Sequence, residues 1–162
     1  YFRRTDSFDQ LVGLCCKVFY PVAHREHREA FEAGKREDLD PGPFLGRVIV
    51  WGLPVGIHRD GLDKLPTLTT DNGFFSGGDM PLPDFRCKFR YERGSIGFGY
   101  YEALYHSVEP WKPTPPPKYM AEGRVTSGRM STVFFSPAKA LNMLKGQDSG
   151  WLVESGGAVN PN

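Results

Sequence analysis

His58 and Asp60, in Gly56-Ile57-His58-Arg59-Asp60-Gly61, are side chains whose types and spacing can do chemistry. They follow Val48-Ile49-Val50-Trp51-Gly52-Leu53, an apolar run too short for a helix and rich in β-formers. On extended backbone, residues two apart project to the same side, so His58 and Asp60 point together and Arg59 points away. An imidazole beside a carboxylate is two thirds of the two-histidine, one-carboxylate facial triad, which holds Fe(II) on one face and leaves the other open. The second imidazole must come from a distant strand. His106, in Leu104-Tyr105-His106-Ser107-Val108, is the candidate.

A second constellation is built for gripping a carboxylate. In Gly128-Arg129-Met130-Ser131-Thr132-Val133-Phe134-Phe135, alternation puts Arg129, Ser131, Val133 and Phe135 on one face. A guanidinium with a hydroxyl beside it, above an apolar floor, makes a carboxylate seat, because Arg can offer two parallel hydrogen bonds. Arg124 competes for the same role, in a stretch less clearly extended. His24 and His27 also sit three apart in a charged segment, but nothing completes a ligand set there, so the reading is a solvated face. Each residue alone has a plain alternative: His58 as a core histidine bonded to Asp60, His106 as structural, Arg129 as a surface ion-pair partner. Only their combination argues for a site.

The elements needed to position these groups are mostly strands. Residues 5 to 33 read as helical, with Thr5, Asp6 and Ser7 as N-cap choices and Pro21 as a break or restart. After the strand at 47 to 53 and the His58 strand, Gly61 to Asn72 reads as a loop over the site. Phe74 to Leu82 resumes extended structure, and its Gly77-Gly78 pair implies a bulge or a close backbone approach. Cys87 to Tyr91 alternates, Glu92-Arg93-Gly94-Ser95 turns, and Ile96 to Tyr101 returns. The run Pro110-Trp111-Lys112-Pro113-Thr114-Pro115-Pro116-Pro117 is excluded from a central strand and reads as a stiff excursion. Ser136-Pro137 should cap a helix running through Lys145, and Gly146 should stop it. Trp51, Trp111, Phe98, Tyr100 and Tyr101 read as core filling, and Cys87 as buried.

Seven or eight short strands behind an N-terminal helical layer predict a mainly β fold with flanking helices: a double-stranded β-helix, the jelly-roll or cupin-like core. The expected organisation is one domain over 1–162, with a helical layer at 1–43, the jelly-roll core at 44–136 and a C-terminal helix and tail at 137–162. Across 162 residues, 20 basic and 19 acidic side chains leave a net charge of +1, which gives no overall pull toward nucleic acid. Three cysteines form neither a disulfide framework nor a zinc pattern, and no apolar run is long enough to cross a bilayer. A nuclear or cytoplasmic protein without a membrane partner is the expectation. The chain opens at Tyr1 rather than Met, so the expectation is either a fragment or a trimmed chain.

The series His58-x-Asp60, Gly77-Gly78-x-Met80-x-Leu82-Pro83, Tyr91-x-x-Gly94, Leu104-x-His106 and Arg129-x-Ser131 resembles the 2-oxoglutarate/Fe(II) dioxygenases. It is most similar to the Tet/JBP-like set expanded in fungal genomes alongside transposable elements. The likeness covers about residues 44 to 136. It departs from the family where the turn reads Arg93-Gly94-Ser95 instead of Pro-Gly-Asp, and in the proline insertion before Arg129. The resemblance implies that His58, Asp60 and His106 bind Fe(II) and are the catalytic centre, while Arg129 and Ser131 hold 2-oxoglutarate, consumed with O₂ as co-substrate. Oxidative decarboxylation to succinate and CO₂ would accompany hydroxylation of a substrate C–H bond. The implied substrate is a methylated or unmodified nucleobase in DNA or RNA, turned out of its stack, with Asp63, Asn72, Phe74 and Phe75 offered to it. The near-neutral charge favours a second version, the same chemistry on a protein side chain or small metabolite. A third reading is an inactive jelly-roll binding module.

Overall fold

The computed structural model describes residues 2–36, 38–119 and 127–156. Among these are helices α1 (Phe2–Phe19), α2 (Pro21–Gly34), α3 (Ala138–Leu144) and α4 (Trp151–Glu154). The strands are β1 (Gly46–Trp51), β2 (Thr67–Gly77), β3 (Met80–Leu82), β4 (Cys87–Phe89), β5 (Ile96–Gly99), β6 (Trp111–Pro113) and β7 (Gly128–Phe135). One sheet runs β1-β7-β2-β5 with β6 also on β2, and β3 pairs with β4 in a second, two-stranded sheet. The β2–β5, β2–β6 and β3–β4 pairings are antiparallel. The expected mainly β class, with helices before and after it in the sequence, is what the chain adopts.

Two compact units divide the residues: 1–46 with 62–66 and 134–162, and 47–61 with 67–133. The first holds all four helices. Proline restarts the helical run as its chemistry dictates: Pro21 enters the first turn of α2, where its missing N–H costs nothing. Its core gathers Ala23, Ala30 and Ala33 of α2 with Leu65, Leu141 and Leu144. The N-cap expected at Thr5 to Ser7 is wrong, since α1 already begins at Phe2 and Thr5 instead donates to Asp9 inside the helix at 2.7 Å. Likewise α3 starts after Pro137 without a side-chain cap, because the Ser136 hydroxyl is used elsewhere.

That hydroxyl serves His27, which is completely buried and not on the solvated face expected of it. The Pro66 carbonyl can only accept, so His27 Nε2–H donates to it at 3.3 Å. Nδ1 must then accept from Ser136 Oγ–H at 2.8 Å, and Ser136 Oγ accepts in turn from the Leu45 N–H at 3.2 Å. The ring packs 4.7 Å from that of Phe44. Burial drives the imidazole pKa down to about 4. Between 6.5 and that value the unfolded chain binds a proton that the folded one refuses, so stability is complete above the window and falls as pH drops through it. Urea unfolding of the wild type should lose about 2–3 kcal/mol between pH 7 and about pH 4.5 from this residue. His27→Gln should show a correspondingly shallower pH slope.

The second unit carries most of the sheet. Its central strand β2 contains residues 67–72, which the sequence suggested were loop. Thr67, Thr69 and Thr70 are β-branched and suit a pleat, and with Leu68 and Asp71 they are all buried. Gly77 and Gly78 both take positive φ (78° and 81°), and a Cβ on Gly77 would lie 2.8 Å from the Pro110 carbonyl oxygen. The close approach expected of that pair is therefore real. Trp111 to Pro113 makes a short strand at the end of β2 (Phe75↔Pro113), while residues 114–118 stay outside the sheet. The Glu92 to Ser95 turn closes with Ser95 N–H on the Glu92 carbonyl at 2.9 Å, yet it joins strands that pair with different neighbours. Met80, Leu82, Tyr91 and Tyr101 form a buried cluster. The other aromatic expectations fail in part: Trp51 and Tyr100 are exposed, and so is Cys87.

Candidate metal centre

His58 and His106 face each other across an isolated antiparallel bridge instead of lying within long strands. Each donates its backbone N–H to the other's carbonyl at 3.0 Å. This reciprocal pair places the imidazoles side by side, ring centroids 4.2 Å apart. Asp60, two residues on, is fixed by its N–H on the Tyr101 carbonyl at 2.9 Å. Arg59 turns away, as alternation requires, and lies 4.7 Å from the ring of Tyr105, the residue just before His106.

The hydrogen bonds define the tautomers. His58 Nδ1 lies 2.9 Å from the Gly56 carbonyl and His106 Nδ1 lies 3.1 Å from the Leu104 carbonyl. A carbonyl only accepts, so both Nδ1 atoms carry a proton, which leaves Nε2 of each ring as the atom available to a metal. Both Nε2 atoms face Asp60: His58 Nε2 is 3.4 Å from Oδ1 and His106 Nε2 is 3.8 Å from Oδ2. The three ligand atoms lie within 4.8 Å of one another. Octahedral bonds of about 2.1 Å put neighbouring donors about 3 Å apart, so a small contraction suffices. These three side chains form a group that can hold a metal ion, with second ring nitrogens already anchored as ligating histidines require.

Burial is uneven across the trio. His106 is 6 % exposed, and its removal from water holds the imidazole below its ordinary range. The Tyr101 ring packs 4.6 Å from it and sends its hydroxyl toward the Met80 sulfur. The His58 side chain keeps 39 % exposure, so the site opens to solvent on that flank. The same chain segments continue into an open cavity of about 430 Å³ walled by Pro54, Val55, Val108, Pro110 and Trp111. Val108 N–H on the Val55 carbonyl at 3.0 Å ties its two walls together.

Arg129 and Ser131 do share one face of β7, and a carboxylate does occupy them. It belongs to Asp71 on β2. Arg129 donates to Asp71 Oδ2 through Nε at 3.1 Å and Nη2 at 2.6 Å, while the Ser131 hydroxyl donates to Oδ1. Asp71 is wholly buried and Arg129 is 4 % exposed. Burial pushes the Asp71 carboxyl upward, with Ser131 and Arg129 pulling against it. Tyr91, whose ring lies 5.4 Å from the guanidinium carbon, donates its hydroxyl to Thr69. Arg124 lies outside the described residues.

Of the residues offered to substrate, Asn72, Phe74 and Phe75 lie on β2 and Asp63 lies in another segment. Asp63 belongs to the helical unit, in an isolated bridge with Pro137. Asn72 and Phe75 are half-buried on β2, Phe75 packing edge-on to Trp111 at 6.4 Å. Phe74 is buried, with the Arg93 guanidinium 4.4 Å from its ring. Sequence reasoning missed Asp71 and Tyr101. An Asp inside a Thr-rich β run was the available signal for the first, since a buried carboxylate demands a partner.

No protein-family model and no curated protein matches the chain. Among solved structures it is similar to NgTET1 in complex with 5mC DNA, at 18% identity and a TM-score of 0.49, over 63% of this chain and 37% of that one. The chain spans little more than a third of that protein's length, and a likeness this distant carries no chemistry across. Among the described residues no helix is long and apolar enough to cross a membrane.

Proposed function

We propose that the protein is an Fe(II)- and 2-oxoglutarate-dependent dioxygenase. The observation that carries this is the pair of Nδ1-anchored imidazoles aiming Nε2 at one carboxylate. His58, Asp60 and His106 would hold iron through three adjacent positions and leave the others for co-substrate and O₂. Iron bound there supplies oxygen activation for C–H hydroxylation, coupled to conversion of 2-oxoglutarate into succinate and CO₂. The chain's own residues do the positioning. The Gly56 and Leu104 carbonyls keep both rings in the ligating tautomer, Tyr101 packs against His106, and the open His58 flank admits substrate. Arg129 and Ser131 are the proposed grip on the far carboxylate of 2-oxoglutarate, and their chemistry suits a carboxylate because one already lies on them.

The proposed substrate is a methylated or unmodified nucleobase in DNA or RNA, as the sequence resemblance implies, with Asn72, Phe74 and Phe75 nearest in type to a base-reading surface. Purified protein supplied with Fe(II), 2-oxoglutarate and O₂ should form succinate slowly even without substrate, and His58→Ala should abolish it. Absence of succinate together with absence of iron binding would leave a non-catalytic binding module. Affinity for a methylated oligonucleotide that falls steeply with salt would support the nucleic-acid substrate. Salt-independent or absent binding would shift the substrate to a protein side chain or metabolite.

A further inference from the structure

The guanidinium and hydroxyl proposed to receive the co-substrate are both bonded to a carboxylate of the chain itself. We propose that Asp71 is an internal occupant of this seat, competing with the far carboxylate of 2-oxoglutarate for Arg129 and Ser131. Asp71 thereby sets how strongly the enzyme prefers a dicarboxylic over a monocarboxylic 2-oxo acid. The inference rests on the oxygenase reading above.

Charge makes the first argument. Arg129 brings one positive charge, and Asp71 neutralises it at 2.6 Å. A second carboxylate arriving beside the first meets no net attraction and a like charge within a few ångströms, in a place where water screens poorly.

Geometry makes the second. Arg129 spends Nε and Nη2 on the single oxygen Oδ2, and Nη1 has no hydrogen-bond partner among the described residues. The guanidinium therefore keeps one edge toward which an incoming carboxylate can turn. The backbone of Asp71 is fixed, its N–H on the Ser95 carbonyl at 3.3 Å and its carbonyl accepting from Gly94 N–H at 2.7 Å. Exchange is then a side-chain movement within a rigid sheet. The Gly78 backbone lies close beside the arginine: a Cβ there would sit 3.5 Å from its Cδ and Nε.

The test compares 2-oxoglutarate with 2-oxobutanoate, which keeps the metal-chelating head and lacks the far carboxylate. Anaerobic binding to the Fe(II)-loaded protein is read from the visible charge-transfer band. In the wild type the two acids should bind within about ten-fold of each other, and Asp71→Asn should raise the advantage of 2-oxoglutarate by at least about ten-fold. Asp71→Ser, which also removes the charge but keeps an oxygen for Arg129, should act in the same direction. A wild type that already favours 2-oxoglutarate by about a hundred-fold, or variants that leave the ratio unchanged, would overturn the proposal. Failure of both acids to bind would count against the oxygenase reading itself. A metal-free arm then decides on the seat: glutarate, but not its neutral diamide, should raise the melting temperature of the Asp71 variants and not of the wild type. Variants indifferent to glutarate would sink the inference.

Discussion

His58→Ala should remove most of the protein's affinity for Fe(II) while hardly changing its stability. The side chain is 39 % exposed and its Nδ1 hydrogen bond runs to a carbonyl that water can serve equally well. A surface change of that kind costs within about 0.5 kcal/mol. Metal affinity behaves differently, because loss of a partner one shell further out already costs roughly 10- to 100-fold, and a direct ligand must cost more. Iron titration paired with urea unfolding of the metal-free variant separates the two quantities. A variant that binds iron as tightly as the wild type would remove His58 from the ligand set. The same substitution at His106 would be harder to read, since that ring is buried against Tyr101 and its loss leaves a cavity.

Arg129→Met should destabilise the fold by about 3–5 kcal/mol, because it strands the Asp71 carboxylate in the interior without its cation. The double change Arg129→Met with Asp71→Leu should recover most of that loss, since two apolar side chains replace a desolvated ion pair. Urea unfolding of the two single variants and the double variant measures the coupling directly. The contrast within the same chain is Arg28–Glu32, where both side chains are about two-fifths exposed. Its removal should cost no more than about 0.5 kcal/mol. If Arg129→Met were equally mild, the buried pair would not be tying β2 to β7.

The candidate metal group was legible because its chemistry restricts residue types. Few side chains bind Fe(II), and His58-x-Asp60 with one later histidine leaves few combinations to weigh. Alternation did the rest, turning Arg59 away from His58 and Asp60 and putting Arg129 beside Ser131 as the sequence suggested. The glycine pair at 77–78 was also readable, since two adjacent glycines in an extended run mark a place where backbone comes close.

What escaped was burial of polar residues. Thr67 to Asn72 looked like loop because hydroxyls and an acid suggest solvent, yet threonine is a strand former and Asp71 found its cation 58 positions away. His27 looked solvated amid Arg and Glu neighbours, although helix geometry placed it on the inner face with Ala23, Ala30 and Phe31. Its partners, Ser136 and Pro66, are remote in sequence and nothing local announces them. The exposure of Cys87 and Trp51 is the converse case: apolar type states a preference for the interior, and the supply of covering elements decides whether it is met.

The most direct measurement is X-ray absorption at the iron edge on anaerobically loaded protein, with the metal quantified per chain. One equivalent of iron with two imidazoles and a carboxylate in its first shell is the predicted result, and one imidazole should be lost in His106→Ala. Iron that fails to bind, or whose imidazole scattering is unchanged in both His58→Ala and His106→Ala, would contradict the account.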